Sequence, residues 1–80
     1  MTPEDAQQLA DAFLAHLRSG KRRRAALYRR YDGAIIWSRN TERDTGERQR
    51  GGSQLLGVFT STAPPEWVAA NILEGVYGST

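Results

Sequence analysis

Three features of this chain predict a small α+β domain in the order α-β-β-β-α, a three-stranded antiparallel sheet packed against two helices. Amphipathic stretches open and close the sequence, each with apolar residues at three-and-four spacing. Between them Asp32-Gly33 separates two runs of β character. Residues 55–61 supply a third such run. The eighty residues, 1–80, suit one domain with a modest core, since a chain near this size buries only about 60% of its unfolded surface.

The first element is a helix over residues 3–18. Thr2 is placed to cap it, Pro3 suits the first helical position, and Asp5 three residues after Thr2 approximates a capping box. Ala6, Leu9, Ala10, Phe13 and Leu17 form one face, with Leu14 beside them. Ser19-Gly20 ends it, because glycine tolerates the left-handed conformation past a helix end.

Strands at 26–31 and 34–39 follow, joined by Asp32-Gly33 as a type I′ turn. A two-residue loop sets Tyr31 opposite Ala34, Arg29 opposite Ile36 and Tyr28 opposite Trp37. The competing reading continues a helix through 22–30, where alanine, leucine and arginine all favour one. Residues 40–53 are polar throughout and read as a charged loop or β-ribbon turning near Asp44-Thr45-Gly46-Glu47. The third strand, 55–61, is apolar on both sides, which suits a well-covered part of the sheet. A last helix covers 65–74. Pro65 and Glu66 fall in its first turn, Val68, Ala69, Ile72, Leu73 and Val76 mark its apolar face, and Gly75 ends it. Both helices are expected over one face of the sheet.

Composition narrows the chemistry. Without cysteine the chain has neither a disulfide nor a thiolate metal site. No basic leader with an apolar run is readable, and no apolar run approaches the roughly 20 residues of a membrane span, so a cytoplasmic protein is expected. Net charge is only +2, yet its distribution is uneven. Residues 1–17 hold Glu4, Asp5 and Asp11 with no Lys or Arg, whereas residues 18–50 hold all 11 Lys and Arg residues of the chain. Every cation except Lys21 is arginine, whose planar fork matches phosphate and carboxylate.

Catalytic sets are hard to assemble from these residues. His16 is the lone histidine and has no nucleophile placed for it; its position flanks the apolar stripe of the first helix. Glu42, Asp44 and Glu47 are interleaved with arginines and lack calcium-loop spacing. Gly46 and Gly51-Gly52 lack the lysine-threonine ending of a phosphate-binding loop. The sequence therefore implies a non-enzymatic module with no cofactor and no metal.

Its functional content is a basic-aromatic constellation. In the register above, Tyr28, Arg30, Trp37 and Arg39 share one side of the hairpin, alternating aromatic planes with guanidinium groups. Such a surface can stack bases and hold phosphates. Arg22, Arg23, Arg24, Arg43, Arg48 and Arg50 extend the positive field, and these ten residues are the candidate binding set. The alternative makes Tyr28 and Trp37 cross-strand core neighbours, with the arginines solubilising the edges.

The element order resembles that of double-stranded-RNA-binding domains, except that their lysine-rich start of the last helix is replaced by Pro64-Pro65-Glu66-Trp67. Gly57-Val58-Phe59-Thr60 leading into a helix is similar to integrase arm-type DNA-binding domains, over those few residues only. The expected partner is nucleic acid or an acidic protein or nucleoprotein surface, with no membrane and no small-molecule substrate. The alternative is a phage- or mobile-element-encoded inhibitor, an anti-CRISPR protein for example, that blocks a host complex by protein–protein contact.

Overall fold

The structure, a computed structural model, describes residues 1–20 and 23–75. Three helices and three strands follow in the order α1 Pro3–Ser19, β1 Arg24–Arg29, β2 Ile35–Ser38, α2 Glu42–Arg50, β3 Gln54–Thr60 and α3 Pro65–Glu74. The sheet is antiparallel throughout with spatial order β2-β1-β3, so β1 is central. The α+β class and the three strands agree with the sequence; the count of helices does not. Among the described residues no helix is long and apolar enough to cross a membrane.

α1 begins as its capping residues dictate. The Thr2 hydroxyl accepts from the Asp5 backbone N–H at 3.1 Å, and Ala6, Ala10, Phe13, Leu14 and Leu17 are buried. They meet Ala25 and Leu27 of β1, Leu56 and Phe59 of β3, and Val68, Ala69 and Ile72 of α3 in one cluster. Phe13 sits edge-on to both Phe59 and Trp37, with ring centroids 6.0 and 5.7 Å away. α1 and α3 thus cover one face of the sheet. The Arg29 side chain reaches the end of α3 and donates to the Ile72 carbonyl, one of the orphan acceptors of a helix C-terminus.

The hairpin corrects the expected register by one residue. Leu27, not Tyr28, lies opposite Trp37, and Tyr28 lies opposite Ile36. The loop has three residues, Tyr31-Asp32-Gly33, closed by the Arg30 N–H donating to the Ala34 carbonyl and the Gly33 N–H donating to the Arg30 carbonyl. Gly33 takes φ +90°, so this is a type I turn followed by a left-handed glycine rather than a type I′ turn. The Asp32 carboxylate holds the turn by accepting from the Ala34 N–H and from Arg30. Because strand side chains alternate, a one-residue slip exchanges the faces of β2. The observed register packs Trp37 and Ile35, both half-buried, against the α1–α3 core; the expected one would have pointed Ile36 there.

The largest departure is α2. Residues 40–53 hold a nine-residue helix in place of the charged loop or β-ribbon. Thr41 caps it by accepting from the Asp44 N–H at 3.0 Å, Glu42 and Asp44 occupy the first turn, and Arg48 and Arg50 the last. Arg43–Glu47 and Asp44–Arg48 are i,i+4 pairs. The Ser53 N–H donates to the Arg48 carbonyl and the Gly52 N–H to the Gln49 carbonyl, with Gly52 at φ +92°. That is a Schellman stop, which accounts for the Gly51-Gly52 pair. α2 lies over the sheet face opposite α1 and α3, on the side of Tyr28, so helices occupy both faces.

Strand limits shift with these changes. β1 starts at Arg24 and ends before the turn takes Arg30 and Tyr31, while β3 spans Gln54–Thr60. In β3 a bulge makes Leu56 the extra residue between the Leu27–Gly57 and Tyr28–Leu55 pairs. Gly57 adopts φ +154°, and a Cβ there would lie 2.8 Å from the Phe59 ring. The Asn71 side-chain amide donates to the Leu56 carbonyl at 2.8 Å, tying α3 to the bulge.

Candidate binding surface

The corrected register separates the two aromatic residues of the expected constellation. Tyr28 is fully buried beneath α2. Its hydroxyl lies 3.0 Å from Thr45 Oγ1, and the Arg48 guanidinium carbon sits 5.7 Å from its ring centroid. Arg48 Nε also donates to Ser38 Oγ at 2.8 Å, and that hydroxyl donates to Asp44 Oδ2 at 2.6 Å. Tyr28 and Arg48 therefore belong to a polar network that docks α2 onto the sheet. Trp37 faces the other way, half-buried against Phe13 and stacked at a tilt on His16, 5.8 Å between centroids. No alternating platform of Tyr28, Arg30, Trp37 and Arg39 exists on one surface.

The remaining arginines divide between the two ends of the sheet. At the hairpin end, Arg30 is paired with Asp32. Its hydrogen bond, with a second from the Ala34 N–H, holds the Asp32 carboxyl down at about 2. Tyr31 projects from the same tip, 83% exposed, with the Gly52 backbone beside its Cβ. Arg50, at the end of α2, folds its guanidinium back toward Gly46.

The opposite end collects the rest. The β1–β2 register pairs Ala26 with Ser38, and carried on it sets Arg24 beside Asn40, next to Arg39. Arg24 also pairs with Thr60 of β3, and Arg18 at the end of α1 donates to the adjacent Ser61 carbonyl at 3.3 Å. Arg23 precedes Arg24 and is exposed. Arg43 stands on the first turn of α2 just beyond Arg39, and these two line a shallow cleft of about 250 Å³ with Thr41, Asp44 and Glu47. Arg22 lies outside the described residues.

Five steps of β1 separate the two ends, about 17 Å at strand rise. Among the described residues, Arg23, Arg24 and Arg39 form no ion pair, whereas Arg30, Arg43 and Arg48 each do. Arg29 and Arg50, toward the hairpin end, form none either, but the Arg29 guanidinium is bonded to the Ile72 carbonyl and that of Arg50 lies back along α2, so the cluster of exposed, unpaired guanidinium groups is at the Arg24 end. Arg18 was absent from the expected set; its signal was its place in the last turn of α1, immediately before the basic run. Tyr31 was absent because it was read as a strand residue, and only the longer loop carries it out to the tip.

Chemically, this end offers exposed guanidinium forks beside the open cleft lined by Arg39 and Arg43. Such a surface can meet phosphates or carboxylates presented by a larger body. No protein family, curated protein or solved structure was found that matches the chain.

Proposed function

We propose that this protein is a cytoplasmic, non-enzymatic binding module whose basic sheet end engages nucleic acid, bare or within a nucleoprotein, through the phosphate backbone. The observation that supports this reading is the convergence of Arg23, Arg24 and Arg39 on one end of the sheet, exposed and without carboxylate partners among the described residues. Exposed, unpaired arginines release counterions from phosphates on binding, which is the main source of sequence-independent affinity. Tyr28 is buried, so base stacking on it has no part in the proposal. The binding is correspondingly expected to be indifferent to sequence and steeply salt-dependent.

Fluorescence anisotropy with mixed-sequence single- and double-stranded oligonucleotides tests this. Affinity should fall linearly on a logarithmic salt scale, and Arg24→Gln or Arg39→Gln should each reduce the slope by about one. Arg48→Gln should leave the slope unchanged while weakening the attachment of α2. Absence of any binding at low salt refutes the reading. The same arginines would then belong to an inhibitor that meets an acidic protein surface.

A further inference from the structure

The helical layer on the other side of the molecule has the opposite character. α1 and α3 carry Glu4, Asp5, Asp11, Glu66 and Glu74, none of them in an ion pair among the described residues. The inward face of α3 is committed: Val68, Ala69 and Ile72 are buried in the core and Asn71 is bonded to Leu56. Its outward face is not. Trp67 is 65% exposed, Leu73 is 43% exposed and Ala70 is exposed between them. Spaced three residues apart, these form one ridge about 9 Å long. Glu66 lies on the line of Leu73 and Glu74 on the line of Trp67, each seven residues away. The outward face therefore presents an apolar ridge bordered by carboxylates, with no cation on the helix.

A tryptophan exposes a large apolar area that the fold leaves unburied, and tryptophan is among the residues that anchor protein interfaces most strongly. The helix cannot turn to cover it without exposing Val68 and Ile72. We propose that the outward face of α3 docks a protein partner whose own apolar stripe is flanked by lysine or arginine. Charge selects this occupant. Nucleic acid is repelled by Glu66 and Glu74. Two copies of the chain meeting through α3 would set these same carboxylates against each other, a contact that costs rather than contributes. This inference uses a different surface from the nucleic-acid reading and stands or falls separately. Together the two surfaces would let the protein bridge a basic partner and a phosphate backbone.

The probe is a synthetic amphipathic peptide with leucines at helical spacing flanked by lysines, together with its glutamate counterpart. Each is titrated into the isotope-labelled full chain and followed by NMR. The lysine peptide should perturb Trp67, Ala70 and Leu73 saturably, and the glutamate peptide should not. Trp67→Ser with Leu73→Ser should weaken the lysine peptide at least tenfold, and both side chains are outside the core, so circular dichroism should be unchanged. Should that variant fail to fold, Glu66→Lys with Glu74→Lys decides the matter by reversing the preference between the two peptides. The proposal is overturned by equal binding of both peptides, or by no binding of the lysine peptide at millimolar concentration. It is also overturned if the loss follows Glu4→Lys with Asp5→Lys instead, or if sedimentation shows self-association that Trp67→Ser abolishes. Nucleic-acid affinity should be indifferent to Trp67→Ser, so failure of one reading is distinguishable from failure of the other.

Discussion

Replacing Gly46 by alanine should make the protein more stable. Gly46 lies in the middle of α2 at an ordinary helical φ, where glycine costs about 0.8–1.0 kcal/mol relative to alanine. A Cβ added there would meet Arg50 Nη1 at 3.2 Å, with the other atoms of that guanidinium at 3.9 Å. These are the far end of a flexible, exposed side chain that can swing away at small cost. The net gain is therefore about 0.5–1 kcal/mol, equivalent to roughly 2–8 °C in Tm for a chain of this size. Since α2 buries none of its residues, it should open before the rest of the fold, so its amides report the change most directly. Their hydrogen exchange should slow roughly two- to fivefold. Urea denaturation followed by circular dichroism supplies the global value. A lowered Tm, or faster exchange across Glu42–Arg50, would refute the argument that this segment is a helix limited by its central glycine.

Three further outcomes are expected. Gly57→Ala should destabilise by about 2–4 kcal/mol in denaturant titration, because the added Cβ meets the Phe59 ring at 2.8 Å at a backbone angle that side chains avoid. Tyr28→Phe should cost about 1 kcal/mol through the lost contact with Thr45, and should speed exchange in α2 while sparing α1. Asp32 should titrate by NMR with a midpoint at about 2. Its folded value lies below the usual carboxylate value of roughly 3.9, so its contribution to turn stability is complete above that pH. The contribution fades as pH falls toward about 2, and Asp32→Asn should remove this part of the pH dependence.

The parts of the fold that bury apolar side chains were readable from the chain. Ala6, Ala10, Phe13, Leu14 and Leu17 announce α1 through their spacing, and Val68, Ala69 and Ile72 announce α3 in the same way. α2 escaped because it has no apolar face. Its specification lies in the Thr41 cap, the acids of its first turn, the bases of its last, and the Gly52 stop, with Gly46 in the middle reading as a break. The hairpin register escaped for another reason. Asp32-Gly33 fits both a two-residue loop and the end of a three-residue loop. The choice is made at a distance, by whether Trp37 joins Leu27 and Phe13 in the core. That choice also decides which arginines are neighbours. Ten candidate residues could be named from the sequence, but which of them are neighbours follows from the hairpin register together with the placement of α2.

The bulge in β3 has a consequence for how this protein behaves in a crowded solution. With β1 in the centre, both other strands are edges, and an edge of regular length is a template for a strand from another molecule. β2 offers only four residues and runs directly into Arg39. β3 is seven residues long, but the extra residue at Leu56 and the turn of backbone at Gly57 interrupt its regularity. Asn71 occupies the Leu56 carbonyl besides. β2 is therefore too short, and β3 too irregular, to offer a strand of a neighbouring chain a long, even row of donors and acceptors.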